Sequence, residues 1–262
     1  MVILNKILFF FRLCGFDFNK FIHSLKGFPI YLRNYNKLKH QLIGSKDFKI
    51  TNLNPIFSDR FESSGIMSGH YFHQDLLVAK KIHKNNPLRH IDIGSRIDGF
   101  VAHVASFRDI EIIDIRYQNS IIENIKFYQQ DLMNPLDPHF LACTDSISSL
   151  HAIEHFGLGR YGDPVDMDGH IKALENIHKM LKIDGIFYFS TPIGSQRIEF
   201  DAHRVFCLCY LMNYFKDKYS IKSFSFVDDS GLLNENAVLS ESNISSNFSC
   251  YLGCGIFELI KK

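Results

Sequence analysis

Asp92, Asp114 and Asp131 each close a short apolar run, at intervals of 22 and 17 residues. A carboxylate at a strand tip can accept hydrogen bonds from both hydroxyls of a ribose, and one at the next tip can accept from an adenine amino group. Each acid alone is equally a turn or helix-cap residue; three at successive strand ends make a pattern. The first lies in His90-Ile-Asp92-Ile-Gly94-Ser95-Arg96-Ile-Asp-Gly99. Its order of strand, glycine turn and helix presents a nucleotide-type ligand at the carboxyl edge of an open parallel sheet. A dinucleotide fingerprint needs a second glycine so that backbone can approach a pyrophosphate. Ser95-Arg96 stand there instead, which favours a phosphate-free adenosine ligand. The candidate contacts are Asp92, Gly94, Ser95, Arg96, Gly99, Asp114, Asp131 and Leu132. Tyr71 and Gln74, ahead of the first strand, could cover the same ligand or pack as lid residues.

A second group could move protons. His151-Ala-Ile-Glu154-His155 follows the fourth predicted strand and His203 the fifth. Imidazoles titrate near neutrality and serve as general bases. His203 is the first candidate for a base, with His151 and His155 beside it. Glu154 could orient a histidine, accept from a cofactor or cap the turn, and His155 could equally be a structural hydrogen-bonding residue. The His-x-x-Glu-His string has the letters of an inverzincin site, but no further ligand pattern accompanies it and no metal is assigned. In the loop of residues 157–164 the glycines and proline need only a turn. Arg160 and Tyr161 side by side, with Asp163, favour binding of an acceptor. Arg204 could hold an acidic acceptor or a carboxylate within the core.

Positioning these groups falls to alternating strands and helices. Apolar residues at 76, 77, 78, 79 and 82 predict a helix over 76–83, stopped by Asn85-Asn86-Pro87. Strands are predicted over 90–93, 110–115, 125–129, 146–150, 186–190 and 221–227. Helices are predicted over 99–107, 169–181 and 204–215, with an Asn/Ser-rich loop over 234–249 and a closing apolar run over 251–260. This βα alternation implies a doubly wound, Rossmann-like α/β sheet. Residues 1–64 read as a helical extension and connector, and residues 65–262 as the main domain.

These motifs resemble the class I S-adenosylmethionine-dependent methyltransferases. Asp92-Ile-Gly94 is similar to their first motif, Asp114 to their ribose acid, and the Asp131-Leu132-Met-Asn-Pro135 turn to their adenine side. Residues 151–155 resemble the segment after strand four in the small-molecule branch. Met180-Leu-Lys-Ile-Asp-Gly185, with Thr191-Pro192, resembles the turn into strand five and its end. Ser95-Arg96 depart from the usual small residue and glycine. A narrower resemblance covers about residues 65–230, through the stretches at 70–79, 90–100, 149–164 and 200–206. It is to an uncharacterised methyltransferase-like family often encoded among bacterial surface-polysaccharide genes. The resemblance implies a mostly parallel sheet with an antiparallel last strand, S-adenosylmethionine as cofactor, and methyl transfer to oxygen of a saccharide or polysaccharide precursor. Two alternatives stand beside it. A nicotinamide-dependent sugar oxidoreductase or epimerase is disfavoured by the missing second glycine. A non-catalytic member of glycan assembly is compatible with the altered turn.

Among 262 residues, 46% are hydrophobic and 22% charged, enough for a sizeable core. A net charge of +1 carries no nucleic-acid signature. Residues 1–45 hold seven Lys/Arg against Asp17 alone and are dense in aromatics, read as packing residues of a cap. Their basic balance suits a solvated helical face or peripheral membrane contact. Residues 1–13 read as an amphipathic helix too interrupted to span a bilayer. The six cysteines form no CxxC pair and read as buried free thiols of a reducing, cytoplasmic compartment.

Overall fold

The computed structural model describes residues 9–262; of the amphipathic helix expected over 1–13, residues 1–8 lie outside the described residues and residues 9–13 are helical. The chain divides into two compact units, up to Ile66 and from Met67.

In the first unit, helix α1 (Phe18–Gln41) is capped by the Asp17 carboxylate, which accepts from the Lys20 amide at 3.0 Å. Gly27 is buried because a Cβ there would meet the Phe57 carbonyl, so helix and connector touch backbone to backbone. Phe28 and Tyr31 pack edge-on to the Phe57 ring. One helix against one extended segment covers one side only. Phe18, Phe21, Ile22, Leu25 and Leu32 stay exposed; for Phe18 and Phe21 this is contrary to the expectation that the aromatics pack, and Cys14, expected as a buried thiol, is exposed as well. Among the described residues, no helix is long and apolar enough to cross a membrane.

The second unit is built on an eight-stranded sheet. Its strands are β1 (His90–Ile93), β2 (Ile110–Asp114), β3 (Ile125–Gln129), β4 (Thr144–Leu150), β5 (Leu181–Ile193), β8 (Tyr219–Val227), β9 (Leu233–Asn234) and β10 (Gly253–Lys261). They lie in the order β3-β2-β1-β4-β5-β10-β8-β9. The pairs from β3 to β5 are parallel, while β10 runs antiparallel to both β5 and β8. This is a doubly wound, Rossmann-like α/β sheet with an antiparallel closing strand. On one face α2 (His70–Asn85) buries Leu77, Val78 and Ile82 with Phe100 and Val104. On the other, α4 (Gly169–Met180) and α5 (Leu208–Phe215) bury Leu174, Ile177, Leu211 and Phe215 against Phe187, Phe189 and Phe257. Strand order reverses between β1 and β4, the switch point at which such sheets open a crevice.

Several elements differ from the expected ones for local reasons. The helix expected over 99–107 is a widened turn, Ile97–Val101, in which the Val101 amide reaches the Arg96 carbonyl. A short helix, α3 (Ala102–Ala105), follows it. β5 begins at Leu181 because Asp184, at φ +61°, and Gly185 let the chain bulge and resume pairing with β4. A hairpin of β6 (Arg197–Glu199) and β7 (His203–Val205) occupies the start of the helix expected over 204–215, which begins only at Leu208. The loop expected over 234–249 contains α6 (Glu241–Ser246), N-capped by the Ser240 hydroxyl.

Beneath the crevice, His90 is fully buried between the hydroxyls of Ser146 at 2.8 Å and Ser148 at 3.1 Å. Burial pushes its imidazole down to about 3. The unfolded chain therefore takes up the His90 proton first. The contribution is intact above pH 6.5 and is lost as the pH falls towards 3, at about 1.4 kcal/mol per unit. Urea unfolding at pH 7 and pH 5 is expected to show a loss in the wild type larger by about 2 kcal/mol than in His90→Asn.

Candidate active site

At the carboxyl edge of β1, β2 and β3 the sheet opens a pocket lined by Gly94, Asp114, Asp131 and Leu132. Tyr71, Arg96, Arg116, His151, His155, Tyr161 and Asp163 are also part of the wall. Gly94 takes φ +67°, and a Cβ there would press on Ala152 at 3.1 Å. Only glycine makes this turn without strain. The Asp114 carboxylate is clamped by Arg116, whose Nε donates at 3.0 Å and Nη2 at 2.6 Å, while the Arg116 amide donates at 2.8 Å. A carboxylate has about four acceptor positions, of which these three donors fill three, so one remains for a ligand hydroxyl. Arg116 also lies over the Tyr161 ring, 4.6 Å from its centre. Asp131 accepts from the Met133 amide at 2.8 Å and fixes the turn that carries Leu132.

Several expected contacts lie behind this wall instead. Asp92 is fully buried and accepts from the Ser95 amide, the Ser95 hydroxyl and the Ser148 hydroxyl at 3.0, 2.7 and 2.5 Å. Burial pushes its carboxyl up to about 7. Ser95, buried as well, accepts from the Leu150 amide at 3.0 Å. The serine in place of a small residue thus stitches the β1 turn to the end of β4. Gln74 is an interior brace, its Oε1 accepting from the Ser190 hydroxyl at 2.6 Å. A Cβ on Gly99 would meet an Asp75 carboxylate oxygen at 2.7 Å, so this glycine serves close packing on α2 and borders a side cleft with Phe72 and His103. Arg96 reaches the pocket while paired with Asp98 and lying over the Tyr71 ring.

The acceptor-side residues divide in the same way. Arg204 is buried and donates to the main-chain carbonyls of Phe156 at 2.6 Å and of Glu154 and Met167 at 3.4 Å. Its Nη1 and Nη2 serve the loop, and no acidic acceptor is needed to explain it. Arg160 donates to the Ala202 carbonyl at 2.7 Å and lies outside the pocket wall. Asp163 gathers the amides of Gly157, Gly159 and Tyr161, folding the glycine loop so that Tyr161 meets the pocket. Gly157, at φ +78°, packs so tightly on Asp166 that no side chain fits.

Of the three histidines, His203 sits on the β7 hairpin, 3.6 Å from Glu199, and is not part of the wall. His155 is. Its Nδ1 donates to the Ala202 carbonyl at 2.7 Å, and burial holds its imidazole below the ordinary histidine range. The ring is therefore neutral near pH 7 with Nε2 as the basic atom. His151 takes a left-handed φ of +51° and its Nδ1 lies 2.7 Å from the fully buried Glu154. Burial alone would lower the His151 imidazole and raise the Glu154 carboxyl. The Cys254 sulfur and the Glu154 carboxylate reverse the first shift, and the imidazoles of His151 and His155 reverse the second. Sequence reasoning missed Arg116, two residues beyond the ribose acid, and the approach of His70 and Cys254 to His151.

Among solved structures, three similar ones match at low identity. The 1,6-didemethyltoxoflavin-N1-methyltransferase of Burkholderia thailandensis, with bound 1,6-didemethyltoxoflavin and S-adenosylhomocysteine, is 13% identical. The match covers 72% of this chain and 78% of that one with a TM-score of 0.49. The N-methyltransferase NodS of Bradyrhizobium japonicum, in complex with S-adenosylhomocysteine, is 10% identical over 78% and 91% of the two chains, with a TM-score of 0.47. The [4+2]-cyclase SpnF is 13% identical over 72% and 80%, with a TM-score of 0.49. No curated protein sequence matches. The model of the family described as "Caenorhabditis protein of unknown function, DUF268" matches residues 102–247. That span is more than half of the chain, which therefore belongs to the DUF268 family.

Proposed function

We propose that the pocket binds S-adenosylmethionine and that the protein transfers its methyl group to a small hydroxylated acceptor, a saccharide or polysaccharide precursor. The observation that carries the reading is the convergence of Asp114, Asp131 and the Gly94 turn on one pocket at the switch point. Two carboxylates on adjacent strand tips suit a ribose and an adenine, and Ser95-Arg96 leave no glycine for a pyrophosphate. Tyr71 and Arg96 would cover the ligand from the side of α2. Methyl transfer is a displacement in which the sulfonium supplies the electrophile, while the protein orients the acceptor and removes its proton. His155, neutral and with Nδ1 tied to a carbonyl, is the group suited to take that proton. Mass spectrometry of ligand released from the purified protein is expected to give S-adenosylmethionine or S-adenosylhomocysteine. A nicotinamide nucleotide in its place would favour the oxidoreductase reading.

A second feature concerns location. The exposed strip of Phe18, Phe21, Ile22, Leu25 and Leu32 lies on a helix that also carries Lys20, Lys26, Arg33, Lys37 and Lys39. Apolar residues flanked by uncompensated cations suit an anionic lipid surface, at about 1 kcal/mol per basic residue near the charged headgroups. Flotation with vesicles containing phosphatidylglycerol is expected to carry the protein upward. Phe21→Ser/Leu25→Ser is expected to abolish this, and equal flotation with neutral vesicles would contradict it.

A further inference from the structure

We propose that His70, His151 and Cys254 form a binding site for a zinc-class divalent metal ion at the border of the pocket. One donor atom from each, two imidazole nitrogens and a thiol sulfur, lies within 4.8 Å of the other two. The three come from distant parts of the chain: the first turn of α2, the residue after β4, and the second residue of β10. Two imidazoles on a tetrahedral ion, at roughly 2.0–2.1 Å per bond, have ring centres about 5 Å apart. The rings of His70 and His151 are 5.1 Å apart and nearly parallel, at 20°, so one of them turns about its side-chain bonds for both nitrogens to meet one ion. Donors on such an ion stand within about 4 Å of one another, so the set closes with a shift of about 1 Å at its widest edge.

A second, independent observation points to a ligand. The His151 side chain is only 7% exposed, and its Nε2 is buried with no hydrogen-bond partner. An orphaned buried nitrogen is costly unless something binds it. Its Nδ1 meanwhile sits 2.7 Å from the wholly buried Glu154 carboxylate. That carboxylate–imidazole pairing fixes the ring and its tautomer so that Nε2 faces outward, as it does around metal-bound histidines. Cys254 is fully buried beside the His151 ring, and its sulfur otherwise has weak contacts to Gln74 Oε1 at 3.6 Å and to the Gly255 carbonyl at 3.9 Å. As the ion binds, this thiol and the His151 Nε2 each give up a proton to solvent, leaving a thiolate, the soft ligand that zinc prefers, and a neutral imidazole.

Three protein ligands are the number used by metal sites that keep a position open. His151 borders the pocket, so the fourth position is left for water or for a hydroxyl or thiol of a bound acceptor. The metal site does not depend on what else the pocket binds.

Titration of the metal-free full-length protein with Co2+ tests this directly. One equivalent is expected to produce a near-ultraviolet thiolate-to-cobalt charge-transfer band together with visible bands of tetrahedral cobalt, both displaced by Zn2+. Cys254→Ser is expected to lose the charge-transfer band. His70→Gln, at the first turn of a helix where the fold tolerates change, is expected to weaken Co2+ binding at least tenfold. Glu154→Gln, which leaves all three ligands in place, is expected to weaken it about 10- to 100-fold. No charge-transfer band in the wild type, or the same affinity in His70→Gln, would overturn the proposal. The five other cysteines make Cys254→Ser decisive as well, since a band that persists in it belongs elsewhere.

Discussion

Asp114→Ala is expected to weaken S-adenosylmethionine binding about a hundredfold or more while leaving the protein folded. The carboxylate stands at the end of β2 on the pocket wall and is the one acid there oriented by a charged partner, Arg116. Hydrogen bonds to a charged acceptor contribute roughly 1.5–3 kcal/mol each. Losing the ribose hydroxyl partner of the one free acceptor position therefore costs up to about 3 kcal/mol, roughly a hundredfold in affinity. Removing the acid also leaves the half-exposed Arg116 guanidinium beside the ligand without its counter-charge. Isothermal calorimetry reads the change in affinity, and thermal unfolding without ligand confirms that the variant is intact. Asp92→Asn provides the contrast. Asp92 lies behind the wall in a network with Ser95 and Ser148, so its loss is expected to appear first in stability.

The second large effect is expected at His155. His155→Gln keeps a side chain of similar reach but removes the base. The rate of methyl transfer should then fall about 10²- to 10⁴-fold, the usual contribution of a positioned general base, with S-adenosylmethionine affinity nearly unchanged. The pH profile adds a sign. Burial holds the His155 imidazole below the ordinary histidine value, so the active neutral form persists at neutrality and is lost only as the pH falls through that depressed pKa. The wild type should show an acid limb below pH 6.5 that is absent from the residual activity of His155→Gln. Equal loss in His203→Gln would return the role to the hairpin histidine, which stands off the pocket wall beside Glu199.

The strand framework was legible because its signals are local. Apolar runs ending in Asp92 and Asp114 mark β1 and β2 almost to the residue, and β3 matches its expected span. Asp114 and Asp131 were legible for the same reason, since a residue that closes a strand has its place set by that strand. What the sequence did not disclose was burial of polar side chains. Ser95 looks like a departure from a cofactor motif, yet its hydroxyl joins Asp92 to a β4 amide more than fifty residues away. Gln74 and Arg204 carry letters that suit ligands, while their partners are Ser190 and three loop carbonyls. The β6–β7 hairpin was hidden because the Arg204–Phe206 run reads as the start of a helix, which Cys207 delays by capping at Tyr210. His70 and Cys254 meet His151 only after β10 inserts between β5 and β8, and no spacing in the chain reports that insertion.

The most direct measurement is calorimetric titration of S-adenosylmethionine, and separately of S-adenosylhomocysteine, into the wild-type chain with Asp114→Ala alongside. Single-site binding by the wild type, weakened about a hundredfold or more in the variant, is the expected result. An absence of binding at millimolar ligand, or equal affinity in the two proteins, would contradict the assignment of this pocket to the cofactor.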